Sequence, residues 1–214
     1  VETVEREIRT VGIEELEVRA DDNGTGIRGY AAVFDKMSVP LYGFREKIAA
    51  GAFKYSLEHK KRILALWNHD SSLPIGSTDG GQLKLSEDTR GLFFDLEPID
   101  TTTGRDVKEM IRSGVVKGVS FGFVVKKDQW DQTDPRNVVR TLLDVDLIEI
   151  SPTAFPAYPQ TSAAVRSEEE VYRSYLAAQE RSAGEGKQSE GQQEPLDVMQ
   201  AEIEIMKMYG GTKQ

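Results

Sequence analysis

The chain has 214 residues, a formal charge of −9 and no cysteine. The absence of cysteine excludes a disulfide framework, a thiolate metal site and a cysteine nucleophile. The acidic balance gives no bulk attraction to nucleic acid, and no apolar run reaches the roughly 20 residues a membrane-spanning helix needs. Val1–Arg6 lacks the basic start and apolar stretch of a signal peptide, so the chain is expected to be intracellular where it is made, binding neither nucleic acid nor membrane.

In chain order, residues 1–13 read as an N-terminal extension, and a mainly β domain is expected over 14–165. Leu16–Ala20 alternates, Asp21–Gly26 makes a turn, and Ile27–Phe34 resumes as a strand. A helix is expected over about Ala52–Lys60. The apolar run Ile63–Trp67 then ends in the polar turn Asn68-His69-Asp70. Gln82–Leu85 and Gly91–Leu96 form a hairpin around Glu87–Arg90, and a second helix runs from a Thr-rich cap near Thr103 to Ser113. Val119–Lys126 and Val138–Ile150, long enough to carry a bulge, complete the strands. Many short strands with isolated helices predict an α+β fold, mainly β: a closed or nearly closed β-barrel with helices outside. Residues 166–194, rich in Glu, Gln, Ser and Gly, read as an acidic flexible linker. In 195–214, Leu196, Met199, Ile203 and Met206 recur at helical spacing and predict an amphipathic helix that docks on its own domain or on a partner.

The two histidines narrow the search for chemistry. His59 lies at a charged helix end, where solvation and the helix dipole account for it. His69 ends an apolar strand and projects into a turn, a placement suited to a general base; spacing alone also fits a turn histidine bonded to its neighbours. Ser120 sits in Gly118-Val119-Ser120-Phe121-Gly122-Phe123, where alternation turns it away from the two phenylalanines. It fits a nucleophile or a strand serine with small neighbours. In Asp146-Leu147-Ile148-Glu149-Ile150-Ser151, a regular strand puts Leu147, Glu149 and Ser151 on one face. Glu149 buried there needs a partner such as an imidazole, with Asp144 and Asp146 as competitors or all three as solvated acids. No metal-ligand spacing, phosphate-binding loop or dinucleotide motif is present, so no metal or cofactor is expected.

Several segments together resemble one family. They are Gly29–Phe34, Gly51-Ala52-Phe53, Leu66–Asp70 followed by Pro74-Ile75-Gly76, Gly91–Phe94, Gly104-Arg105-Asp106, Gly118–Phe123, Glu149-Ile150-Ser151 and Phe155–Pro159. Their order and spacing resemble the prohead maturation proteases of tailed phages, which are related in fold to the herpesvirus assemblins. The resemblance implies a serine endopeptidase with Ser120 as nucleophile, His69 as base and Glu149 as the acidic third member, although assemblins carry a second histidine at that third position. It implies cleavage of the scaffolding segment of the major capsid protein, and of the protease itself, inside the assembling prohead in the host cytoplasm. It also implies weak homodimerisation. The rival reading from another class is a non-catalytic internal scaffold on the same barrel. An esterase or amidase has less support, because no nucleophile-elbow motif is present.

Overall fold

Alternation of buried and exposed side chains builds most of the strands. A computed structural model of the chain describes residues 6–11, 16–18, 26–154 and 168–184. In chain order the strands are β1 (Glu7–Val11), β2 (Leu16–Val18), β3 (Ile27–Val33) and β4 (Arg45–Ile48), followed by helix α1 (Lys54–His59). Then come β5 (Leu64–Trp67), β6 (Asp70–Ser77), β7 (Leu83–Glu87), β8 (Gly91–Leu96), helix α2 (Thr102–Arg112), β9 (Gly118–Asp131), β10 (Val139–Thr153) and helix α3 (Glu168–Gly184). Helix α2 starts where the threonine run predicts: the Thr101 side chain accepts a hydrogen bond from the Gly104 N–H at 3.1 Å, satisfying one of the orphan donors of the first turn.

The strands form two sheets. The larger runs β1-β9-β10-β5-β6, with β4 also paired to β10; the smaller runs β2-β3-β8-β7. Strand β10 is the spine of the larger sheet. One edge pairs antiparallel with β9, and the other is shared by two parallel partners, β4 at Val139–Leu142 and β5 at Glu149 and Ile150. The expected closed or nearly closed barrel is therefore corrected to two open sheets. The larger sheet ends in β1 and β6 and the smaller in β2 and β7, and each of these end strands has a single partner. Among the described residues no ladder joins one sheet to the other.

The sheets meet through side chains. A single core cluster takes Ile27, Phe94 and Leu96 from the smaller sheet, Phe121, Phe123, Leu147 and Ile150 from the larger, Phe53 beside α1, and Val107 from α2. Phe53, Phe94, Phe121 and Phe123 are fully buried, and burying each contributes roughly 2–3 kcal/mol. The ring of Phe121 stacks on Phe123 at 5.0 Å and meets Phe53 edge-on at 5.5 Å, which locks the inner face of β9.

Two segments depart from expectation. Residues 7–11 form not an extension but β1, paired along β9 from Glu7↔Phe123 to Val11↔Val119. Its charges suggest solvent, yet Glu7 is buried within an ionic network. Arg140 Nη1 reaches Glu7 at 2.8 Å and Glu46 at 3.1 Å, Arg140 Nε reaches Asp128 at 2.8 Å, and Arg9 Nε reaches Glu46 at 2.6 Å. Burial disfavours the charged form of Arg140, but the hydrogen bonds and charges of Glu7, Glu46 and Asp128 outweigh it and raise its pKa.

The second departure is α3, which occupies residues 168–184 inside the stretch expected as a linker. Val171 is buried with Phe44 and Val138, and the Tyr172 ring stacks on Phe44 at 5.9 Å. Gly43 gives that ring room, since a Cβ there would lie 2.6 Å from it. The chain divides into two compact units after Arg173, and the described part of the second, Ser174–Gly184, is the end of α3. The amphipathic helix expected over 195–214 lies outside the described residues.

Candidate active site

Strand β9 presents two different faces. Phe121 and Phe123 point into the core, so Ser120 and Gly122 share the opposite face. Ser120 is 1% exposed and lies between Thr10 of β1 and Ser151 of β10 in the ladder. Directly paired residues of an antiparallel ladder project on the same side. Ser120 and Ser151 are therefore side-by-side neighbours.

Glu149 reaches this face through a bulge. Leu147 pairs with Phe123 and Glu149 with Gly122, so Ile148 is the extra residue of β10. A plain strand without a bulge would keep Leu147 and Glu149 on one face. The bulge separates them: Leu147 turns to the core with Phe123, and Glu149 turns to the Ser120 face. Gly122, opposite Glu149, is required by space. A Cβ there would overlap Glu149 Oε1 and would lie 2.6 Å from Arg6 Nε and Nη2.

His69 arrives from the hairpin between β5 and β6. Trp67 pairs with Asp70, and the two residues between them, Asn68 and His69, both have positive φ, 51° and 63°. Two consecutive left-handed residues are the signature of a type I′ turn, whose twist matches that of the flanking strands. Asn tolerates this region; for His it costs roughly 1 kcal/mol. The turn is tied to the end of β10. The Asn68 N–H donates to the Pro152 carbonyl and the His69 N–H to Ser151 Oγ, both at 3.2 Å, and the Ala154 N–H donates to Asn68 Oδ1 at 3.4 Å.

These elements converge on the Glu149 carboxylate, which is 0% exposed. Oε1 accepts from His69 Nδ1 at 2.7 Å and from Arg6 Nη2; Oε2 accepts from the Ser151 hydroxyl at 2.6 Å. An ionised carboxylate only accepts, so the imidazole proton sits on Nδ1 and the Nε2 lone pair stays available. A neutral imidazole held in that tautomer can take a proton from a hydroxyl, and the carboxylate behind it stabilises the imidazolium that results.

The structure thus brings His69 and Glu149 into direct contact and puts Ser120 on the same sheet face, opposite Ser151. The alternatives lie elsewhere. His59 is exposed, with its ring stacked on Tyr55 at 4.3 Å and Nδ1 3.0 Å from the Tyr55 carbonyl. Asp146 pairs with Lys60 at 2.8 Å. Asp144 and Asp146 pair with Lys127 and Val124, further along the ladder than Gly122. Sequence reasoning missed Arg6 and the role of Ser151. Ser151 carried a signal, since it lies two residues after Glu149 on one strand face. Arg6, near the N-terminus and among charged neighbours, carried none.

The sequence matches a known group. Residues 14–174 match the family model for the caudovirus prohead serine protease. The chain belongs to that family. It is 32% identical over 162 residues to the prohead protease of Enterobacteria phage HK97, covering 73% of this chain and 68% of that protein. It is 25% identical over 147 residues to the prohead protease of Escherichia phage T5, covering 67% of this chain and 64% of that one. In fold it is similar to the capsid assembly protease of bacteriophage T4, with a TM-score of 0.50, 13% identity, and coverage of 71% of this chain and 98% of that structure. The chain is a prohead maturation protease of the serine type.

Proposed function

We propose that Ser120 is the nucleophile of this protease, His69 its general base and Glu149 the carboxylate that orients the imidazole. His69 Nε2 removes the hydroxyl proton as Ser120 Oγ attacks the peptide carbonyl, giving a tetrahedral oxyanion. The C–N bond breaks as the imidazolium returns that proton to the leaving amine, and an acyl-enzyme remains. Water, deprotonated by the same imidazole, then releases the acid and regenerates Ser120. The observation that carries this reading is the 2.7 Å contact between His69 Nδ1 and Glu149, on the sheet face that Ser120 shares.

The proposed substrate is the scaffolding segment of the phage's major capsid protein, together with the protease itself, cut within the assembling prohead in the host cell. Support comes from the names of the related proteins, a prohead protease and a capsid assembly protease. Co-expression with the cognate capsid protein tests both parts. Intact mass should show shortened capsid protein with the wild type and full-length protein with Ser120→Ala. Cleavage by both would assign the nucleophile elsewhere, and cleavage by neither would remove this capsid protein as substrate.

A further inference from the structure

We infer that Arg6, delivered by the N-terminal strand, is a positioning residue for the imidazole–carboxylate pair. The inference rests on the Ser120–His69–Glu149 reading and deepens it. Glu149 has no exposure to water, so protein donors must replace its hydration. The Ser151 hydroxyl occupies Oε2, while Oε1 is divided between His69 Nδ1 and Arg6 Nη2. During the resting part of the cycle the imidazole is neutral, and Arg6 is then the cation in contact with the buried carboxylate.

Three observations fix Arg6 in that role. Its side chain is 24% exposed, so the guanidinium enters from the rim rather than from the core. Its Nε is buried without a hydrogen-bond partner, so the contact uses one nitrogen of the fork and leaves room on Oε1 for His69. Its place is shaped by Gly122, where a Cβ would come within 2.6 Å of both Nε and Nη2. The strand holding Arg6 is itself anchored, because the next residue, Glu7, is bound by Arg140 in the core.

Arg6 has two opposing effects. It balances the buried negative charge and stops the carboxylate rotating away from Nδ1. It also shares the acceptor oxygen, and its charge opposes the imidazolium formed during catalysis. The first effect dominates, because a carboxylate in a water-free site that loses this donor loses one of the contacts that fix its direction. Arg6 thus acts on turnover through His69 and not on substrate affinity.

An alkyl fluorophosphonate tests this without knowledge of the cleavage site. Ser120 Oγ bonds to phosphorus, fluoride leaves, and the hydroxyl proton passes to His69. With the full chain, Arg6→Met should lower the maximal inactivation rate by on the order of tenfold to a hundredfold, as loss of an orienting outer partner typically does. Half-saturation should stay within about twofold, since Arg6 acts on the chemical step and not on binding. Arg6→Lys should recover most of the rate, and millimolar guanidinium should restore Arg6→Ala. The far-downfield proton resonance of His69 Nδ1–H should move or broaden in Arg6→Met and return in Arg6→Lys. A folded Arg6→Met variant that reacts at the wild-type rate or faster overturns the proposal, the faster result making Arg6 a brake. If Arg6→Met does not fold, the lysine variant and guanidinium rescue decide, and failure of both overturns it. Wild-type protein that is not labelled at Ser120 sinks the triad reading, and this inference with it.

Discussion

The hydroxyl of Ser151 joins Glu149 to the hairpin that carries His69: it donates to Glu149 Oε2 at 2.6 Å and accepts from the His69 N–H at 3.2 Å. One side chain, 0% exposed, therefore sets both the carboxylate and the backbone of the residue that the carboxylate orients. Ser151→Ala leaves a buried acceptor and a backbone donor unmatched. We expect a stability loss of about 1–3 kcal/mol by urea denaturation and at least about a tenfold fall in turnover. Wild-type turnover would show that Glu149 holds its position without this hydroxyl.

Glu149→Gln keeps the size of the side chain and one acceptor oxygen but removes the charge behind the imidazole. Turnover should fall by roughly 10⁴, the effect expected when an orienting carboxylate becomes an amide. A loss below about tenfold in steady-state peptide cleavage would take Glu149 out of the catalytic group.

Gly122→Ala introduces a methyl group where the Glu149 carboxylate and the Arg6 guanidinium already sit. Neither can retreat easily, because one is held by Ser151 and His69 and the other by the pairing of β1. The expected outcome is a loss of about 2–3 kcal/mol together with loss of fluorophosphonate labelling at Ser120. A stable, fully reactive variant would show that this face has slack.

Acid sensitivity is predicted at the β7–β8 turn of the smaller sheet. Asp88 accepts from the Tyr30 hydroxyl at 2.6 Å and from the Arg90 N–H at 2.7 Å, and these bonds hold its carboxyl below the ordinary value of 3.8. The folded state thus releases this proton more readily than the unfolded state. The stability it contributes is fully present above 3.8 and is lost as pH falls through the depressed value. The difference in Tm between wild type and Asp88→Asn should be largest near neutral pH and shrink towards about pH 2.5. A difference that stays constant with pH would remove Asp88 from the linkage.

Much of this architecture is legible from residue pattern. The apolar run before Asn68-His69, the glycines around Ser120 and the threonine cap before α2 all signal their local structure. His69 stands out because the chain has only two histidines. What pattern hides is of three kinds. Charged residues buried against partners distant in sequence look solvated, so Glu7 and Arg9 read as an extension although Arg140, 133 residues from Glu7, binds that glutamate. Interruptions of period are hidden too. Nothing local marks Ile148 as the extra residue, and a strict alternation would send Glu149 to the wrong face. Helix α3 is a third case, since Val171 and Tyr172 supply enough apolar contact to order a segment whose overall composition suggests a linker.

The bulge at Ile148 makes the chemistry depend on parity. Substitutions along β10 leave the count of residues between Leu147 and Glu149 unchanged, so drift in side-chain identity is tolerated wherever packing allows. A deletion of Ile148 is different in kind: it would make Leu147 and Glu149 consecutive residues opposite Phe123 and Gly122, and plain alternation would keep Leu147 in the phenylalanine layer and Glu149 on the Ser120 face. Flattening the bulge at unchanged length would instead put both side chains on one face. The site is therefore indifferent to the letter at this position and to the loss of it, and sensitive to whether the extra residue stays out of the ladder.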